Sequence, residues 1–294
     1  MPLELILTRR RAVLSIAAVP LLPACETLGS SVPDFADLER DHNGRLGIAA
    51  MDIASGRELT HRPEERFAFC SSFKWLLGAL VLARIDTGKE DLARPVLLDP
   101  KDLVSYSPVT KPRLGETMTL GELCAATIMT SDNTAANLLI TELGGPAGFT
   151  STLRSYGDEV TRLDRYETAL NENAPGDPRD TTSPRAMLNL MRIFLFGDAL
   201  TPASRSLLRQ WMIDATTGLD RLRAGLPAGW IAGDKTGTSA NDQSNDVAFA
   251  VPPDVSSQGP ILIVSFANVP NPFDGSTNAL HAEVARRAAR EFGV

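Results

Sequence analysis

The spacing of apolar positions changes twice along the chain. Arg45 to Met51 and Arg57 to His61 read as strands flanking the turn Ala54-Ser55-Gly56, which predicts a β-hairpin. From Phe67 to Ala83 the sequence is almost continuously apolar and predicts a buried helix. Helices with legible ends follow. Thr119-Leu120-Gly121-Glu122 is a capping box; Gly145-Pro146, Ser183-Pro184 and Thr201-Pro202 are starts; Gly144, Gly157, Gly197 and Gly218 are stops. Ile231 to Thr238, Val247 to Val251 and Ile261 to Asn268 are strand-like again, and Ser276 opens a helix through Phe292. Strands at both ends with helices between them predict a discontinuous α/β domain over 33–62 and 215–294, with an all-α domain over 63–214 inserted into it. The cleft between the two is the expected site.

The first residues read as an address. Thr8-Arg9-Arg10-Arg11 precedes an apolar stretch, Ala12 to Leu22, that is too short to span a bilayer, and Ala24-Cys25 follows. This predicts a twin-arginine-type signal peptide over 1–25, a periplasmic protein and no transmembrane segment. Leu22-Pro23-Ala24-Cys25 is similar to a lipoprotein processing box, so Cys25 is either removed with the leader or carries a lipid anchor. Three arginines against Glu4 give residues 1–24 a net charge of +2, which leaves −9 on the remainder of a chain whose total is −7. An acidic body argues against nucleic acid and anionic membrane as partners; the expected partners are small molecules, and the chain is expected to be a monomer.

Composition narrows the chemistry further. Cys70 and Cys124 both lie in apolar helical patterns and read as free, buried thiols. His42 sits in the turn Asp41-His42-Asn43-Gly44, His61 follows a hairpin strand and His281 lies on the terminal amphipathic helix. No pair has metal-ligand spacing, and no G-x-S-x-G elbow accompanies them. A zinc hydrolase and a Ser-His-Asp triad are thus disfavoured, no metal or cofactor is expected, and any catalytic base must be lysine or a carboxylate.

Lys74 is the only charge in the run Phe67 to Ala83, and it lies three residues after Ser71. A lysine desolvated there has its pKa pushed down and can take a proton from a hydroxyl one helical turn away. The bland reading is a lysine snorkelling from a helix start. Ser131-Asp132-Asn133 interrupts two apolar helical stretches, where Asp132 also suits an ordinary N-cap. Lys235-Thr236-Gly237 ends a strand and is equally consistent with an edge lysine before a turn. The three together, in this order, are much harder to assign to chance. A fourth element, Arg165-Tyr166-Glu167-Thr168-Ala169-Leu170-Asn171, lies in a polar excursion between Gly157 and Ser183 that is too long for a simple connection.

From about Arg45 to the C-terminus, these motifs resemble the class A serine β-lactamases of the penicillin-recognising superfamily. Phe67 to Lys74, Tyr106-Ser107-Pro108-Val109-Thr110 and Asn245-Asp246 belong to the same resemblance. It implies an antiparallel sheet flanked by helices, and a hydrolase acting on penicillins and cephalosporins through a serine acyl-enzyme. Ser71 would attack, with Lys74 or Glu167 as the acylation base. The backbone N–H groups of Ser71 and Thr238 would hold the oxyanion, and Ser131 would relay a proton to the ring nitrogen. Lys235, Thr236 and Thr238 would bind the carboxylate, Asn133 would hydrogen-bond the acylamide side chain, and Tyr106 and Gly237 would be further substrate-binding residues. Glu167 and Asn171 would hold the deacylating water. Asn137 would fix Glu167, Arg165 and Asp180 would close the loop as an ion pair, and the bond from Glu167 to Thr168 would be cis although no proline follows.

Two departures stand out. Ser244 occupies a position where many members carry arginine, and Arg221 in Thr216-Thr217-Gly218-Leu219-Asp220-Arg221 matches the alternative arginine position; its bland reading is a surface helix-end arginine. Ser239 stands where carbapenem-active members place a cysteine opposite Cys70, which weighs against carbapenem turnover. β-Lactam inhibitors such as clavulanate are expected ligands too. A penicillin-binding carboxypeptidase would share Ser71, Lys74 and Lys235 but would have no reason to keep Glu167 with Asn171, and a catalytically silent binding lipoprotein would tolerate loss of a motif residue.

Overall fold

The computed structural model describes residues 34–254 and 259–293; the expected leader over 1–25, with Cys25, lies outside them. In chain order the elements are α1 (Ala36–Asp41), β1 (Arg45–Asp52), β2 (Glu58–His61), β3 (Phe67–Ala68), α2 (Lys74–Asp86), β4 (Pro95–Leu97), β5 (Thr117–Thr119) and α3 (Leu120–Met129). They continue with α4 (Asn133–Glu142), α5 (Gly145–Ser155), β6 (Thr181–Thr182), α6 (Pro184–Met191), α7 (Pro202–Ile213), β7 (Ile231–Ser239), β8 (Gln243–Val251), β9 (Ile261–Asn268) and α8 (Gly275–Phe292). Five strands form one antiparallel sheet in the order β2-β1-β9-β8-β7. Among the described residues no helix is long and apolar enough to cross a membrane.

Period-2 alternation divides the sheet into two buried faces. Leu46, Ile48 and Ala50 of β1, with Ala248, Ala250, Ile261 and Ile263, pack against Leu280, Val284, Ala285, Ala288 and Phe292 of α8. Ala49, Met51, Val247, Phe249, Leu262, Val264 and Phe266 turn the other way, into a core built with α2, α3, α4, α6 and α7. α2 crosses the middle of that second core, with every residue from Lys74 to Leu82 buried.

The helix ends show how local chemistry sets the frame. The Thr119 hydroxyl accepts from the Glu122 N–H at 3.1 Å, while the Glu122 carboxylate accepts from the Thr119 N–H at 2.6 Å, completing the expected capping box. Ser183 and Thr201 cap α6 and α7, each with proline at the first helical turn.

Several expectations are corrected. The run Phe67 to Ala83 is not one helix: Phe67 and Ala68 pair with Thr182 and Thr181, and Cys70, at φ +48°, turns the chain into a single helical turn, Cys70–Phe73, that continues as α2. β8 begins at Gln243 rather than Val247, because its polar first half is buried and hydrogen-bonded beneath the sheet instead of facing water. α8 begins at Gly275 under an Asp274 cap, one residue before Ser276. α7 ends at Ile213, and Gly218 lies in the following turn rather than stopping a helix. α1 and the short β3–β6 and β4–β5 ladders were invisible to periodicity, being too short to show one.

Candidate active site

Ser71 lies at the start of the turn that becomes α2, half-buried, with Lys74 following on the same helical face. Aromatic packing fixes that turn: the Phe69 and Phe73 rings lie 4.9 Å apart, and Phe73 meets Phe149 edge-on at 5.7 Å. The Ser71 hydroxyl donates to Glu167 Oε1 at 3.3 Å. Lys74 Nζ lies 3.0 Å from the same oxygen and also donates to Ser131 O at 2.9 Å and to Asn133 Oδ1. Lys74 is wholly buried, and burial pushes its ammonium below the ordinary lysine value of 10.5 against the opposing pull of Glu167. A lysine so placed is ready to surrender a proton, as its isolation in the apolar run suggested.

Ser131 lies between the two lysines, its Oγ 3.4 Å from Lys74 Nζ and 3.1 Å from Lys235 Nζ. Its φ is +63°, and Tyr106, at +58°, is a second non-glycine residue held in left-handed conformation beside it. Asp132 does more than cap α4. Besides accepting from Ala135 N at 2.9 Å, its carboxylate takes Val109 N, Thr110 N and the Thr110 hydroxyl, each at 2.9 Å. That network anchors the segment carrying Tyr106, a residue 62% exposed whose carbonyl accepts from Asn133 N. Asn133 is already engaged at both ends of its amide, by Lys74 and by Ser105 O at 2.8 Å.

The 157–183 excursion delivers Glu167. Arg165 Nε donates to Asp180 Oδ2 at 2.6 Å, while Asp180 Oδ1 accepts from Asp164 N and Arg165 N, so one buried carboxylate closes the neck of the loop. Asn137 clamps the Glu167 backbone from both sides, at 2.8 Å to its carbonyl and 2.8 Å from its N–H. Asn171 Nδ2 reaches Glu167 Oε2 at 2.8 Å. The Glu167–Thr168 bond is cis. A cavity of about 900 Å³ opens behind the returning limb of the loop, lined by Arg66, Asn173 and Gln243 among others; it adjoins the site without containing Ser71.

β7 closes the opposite wall. At Gly237 a Cβ would sit 2.5 Å from Phe69 O, 2.7 Å from Ser72 N and 3.0 Å from Ser71 N, so only glycine lets this strand lie against the turn that carries Ser71. Thr236 donates to Thr217 at 2.8 Å. Arg221 is buried, not a surface helix-end arginine: it donates to Asn245 O at 2.7 Å, Thr238 Oγ1 at 2.7 Å and Asn278 Oδ1 at 3.0 Å. Cys70 is a free, buried thiol pushed up to about 12 by burial, and Cys124 is likewise free and buried. Sequence reasoning missed Thr217, the Asp132 network and the buried pairing of His281 with Ser244 and Ser265. The only available signal was polar residues inside otherwise apolar segments. Among the described residues no three His, Cys, Asp or Glu side chains group to hold a metal ion.

Lys235 is wholly buried, and burial together with repulsion from Lys74 lowers its ammonium from 10.5. Raising the pH therefore neutralises Lys235 earlier than an ordinary lysine, removing charge from this wall of the site. A pH profile of kcat/KM is expected to show an alkaline limb well below 10.5, carried mainly by rising KM. A profile flat to pH 10 would contradict this.

The comparisons with known proteins agree with this geometry. A model of the β-lactamase enzyme family matches residues 32–292. The chain is 41% identical over 296 residues to β-lactamase FAR-1 of Nocardia farcinica, covering 94% of each, and 45% identical over 277 residues to β-lactamase AST-1 of Nocardia asteroides, covering 94% of this chain and 88% of that protein. It is 42% identical over 291 residues to the carbapenem-hydrolyzing β-lactamase KPC of Klebsiella oxytoca, covering 98% of each. An ancestral (GNCA) class A β-lactamase structure matches with a TM-score of 0.84 at 52% identity, covering 88% of this chain and 98% of that one. The chain belongs to the β-lactamase enzyme family, and within it to the class A serine β-lactamases.

Proposed function

We propose that this serine β-lactamase opens penicillins and cephalosporins by the following division of labour. Ser71 Oγ attacks the lactam carbonyl and passes its proton to Glu167, whose Oε1 is the hydrogen-bond partner of that hydroxyl in the resting site. Lys74, in contact with both Glu167 and Ser131, lets Ser131 give its proton to the departing ring nitrogen and replaces it, then regains one from Glu167. The N–H groups of Ser71 and Thr238 hold the oxyanion where β7 lies against the nucleophile turn. Lys235, Thr236, Thr238 and Arg221 bind the substrate carboxylate, and Tyr106 and Asn133 border the acylamide side chain.

Deacylation carries the distinction from a transpeptidase. Glu167 and Asn171, joined at 2.8 Å, hold a water against the ester; Glu167 takes its proton as it attacks, the bond from the acyl carbon to Ser71 Oγ breaks, and Glu167 returns the proton to Oγ. The observation that carries the whole reading is one carboxylate shared by Ser71 at 3.3 Å, Lys74 at 3.0 Å and Asn171 at 2.8 Å. Asn137, Arg165 and Asp180 act as its support. We further read 33–62 with 215–294 and 63–214 as two lobes, the protein as a monomer, and residues 1–25 as a twin-arginine-type signal for the periplasm.

Turnover of a chromogenic cephalosporin by the purified protein tests this reading. Ser71→Ala is expected to abolish it, a fall of at least about 10³-fold, since removing a nucleophile leaves only residual catalysis. Undiminished turnover by that variant would overturn the assignment.

A further inference from the structure

Arg221 is a buried cation that makes no ion pair among the described residues; neutral groups alone hold it. Its position is therefore only as firm as those groups, two of which belong to the segments flanking Ser244. Thr238 lies directly opposite Ser244 in the β7–β8 ladder, and Asn245, which follows Ser244, offers the carbonyl that Arg221 Nη1 grips. Ser244 is wholly buried, and its hydroxyl meets His281 Nε2 at 3.1 Å. The other ring nitrogen, Nδ1, meets the buried Ser265 hydroxyl of β9 at 2.8 Å.

His281 thus ties α8 to two adjacent strands, one helical turn after Asn278, the residue that receives Arg221 Nε. A neutral imidazole donates at one nitrogen and accepts at the other, and two hydroxyls supply the complement without adding charge beside the guanidinium. An aliphatic side chain of similar size would leave both hydroxyls buried and unpaired, and the relief would be a shift of α8 or of the first half of β8.

We propose that His281, acting through Ser244, is a positioning residue for Arg221, and so for the part of the site that receives the substrate carboxylate. The inference rests on the reading of Arg221 as a carboxylate binder. It makes a directional claim: disturbing His281 weakens handling of the carboxylate, not the acyl-transfer chemistry at Ser71.

The test compares benzylpenicillin with its methyl ester, which lacks that carboxylate, on the full chain and on His281→Leu, Ser244→Ala and Arg221→Ala. For His281→Leu a rise in KM for benzylpenicillin of roughly 5- to 10-fold is expected, with kcat within about twofold and the ester unaffected. Ser244→Ala should move in the same direction, the double variant should add little, and His281→Gln, which keeps a donor and an acceptor, should recover part of the loss. Equal losses on acid and ester, or no loss on either, would overturn the proposal. If Arg221→Ala itself shows no preference for the acid, the carboxylate reading fails and the inference with it; if Arg221→Ala does and His281→Leu does not, the inference alone fails. Should His281→Leu not fold, Ser244→Ala, which removes a single oxygen, decides by the same comparison.

Discussion

Glu167→Ala is expected to release one equivalent of opened product-like chromophore from a chromogenic cephalosporin and then stop. The Glu167 carboxylate is joined at once to Asn171, Lys74 and Ser71, so under the proposed division of labour its removal takes away the base that activates water. General-base catalysis contributes on the order of 10² to 10⁴-fold, and steady-state kcat should fall by at least that. Acylation should suffer less, because Lys74 remains buried beside Ser131 with its pKa lowered and can serve as an alternative acceptor. Stopped-flow kinetics separates the two steps. A burst of one equivalent followed by a stall is the expected trace; slow turnover with no burst would mean that Glu167 is needed for acylation as much as for deacylation.

Gly237→Ala is expected to be nearly as damaging, although it adds only a methyl group and touches no ionisable residue. The new Cβ would lie 2.5 Å from Phe69 O and 2.7 Å from Ser72 N, both backbone atoms with no freedom to swing aside. Phe69 O is further held by Asn245 Nδ2 at 3.1 Å, and Phe69 N donates to Asp180 O, so the strand rather than the turn must move. Moving β7 shifts Thr238 with it, and if its N–H holds the oxyanion as proposed, loss of that donor costs about 10² to 10³-fold in kcat. The melting temperature should fall as well, by several degrees if the strain is about 1 to 3 kcal/mol. Full activity in Gly237→Ala would show that the close approach of β7 has no catalytic purpose.

What the sequence made legible was local. Capping boxes, proline-led helix starts and strand alternation depend on neighbours within a few residues, and the elements they predicted are present: the capping box at Thr119, the starts at Ser183 and Thr201, the strands β1, β7 and β9. The motif residues were legible because their chemistry demands fixed short spacings, and the fold brings Ser71, Lys74, Ser131, Glu167 and Lys235 into one hydrogen-bonded cluster. Two further expectations stood on resemblance: Arg165 does meet Asp180, and the Glu167–Thr168 bond is cis.

The parts that were not legible depend on partners far away in the chain. Phe67 and Ala68 look helical by themselves, but backbone bonding to Thr181 and Thr182 makes them a strand. The polar half of β8 looks like loop, yet Ser244, Asn245 and Asp246 are buried because α8 and the turn around Arg221 supply their hydrogen bonds. His281 read as one polar position on an amphipathic helix, whereas it is wholly enclosed between two serines contributed by different strands. In each case the local structure or burial is decided by a long-range partner, which periodicity does not encode.

The central claim is that Ser71 forms an ester that Glu167 then clears. Its most direct test is intact-mass and peptide-level mass spectrometry of Glu167→Ala after brief exposure to benzylpenicillin. A single adduct of the mass of the intact drug, mapped to the peptide bearing Ser71, is the predicted result. A folded Glu167→Ala protein that carries no adduct, or carries it on another residue, would contradict it.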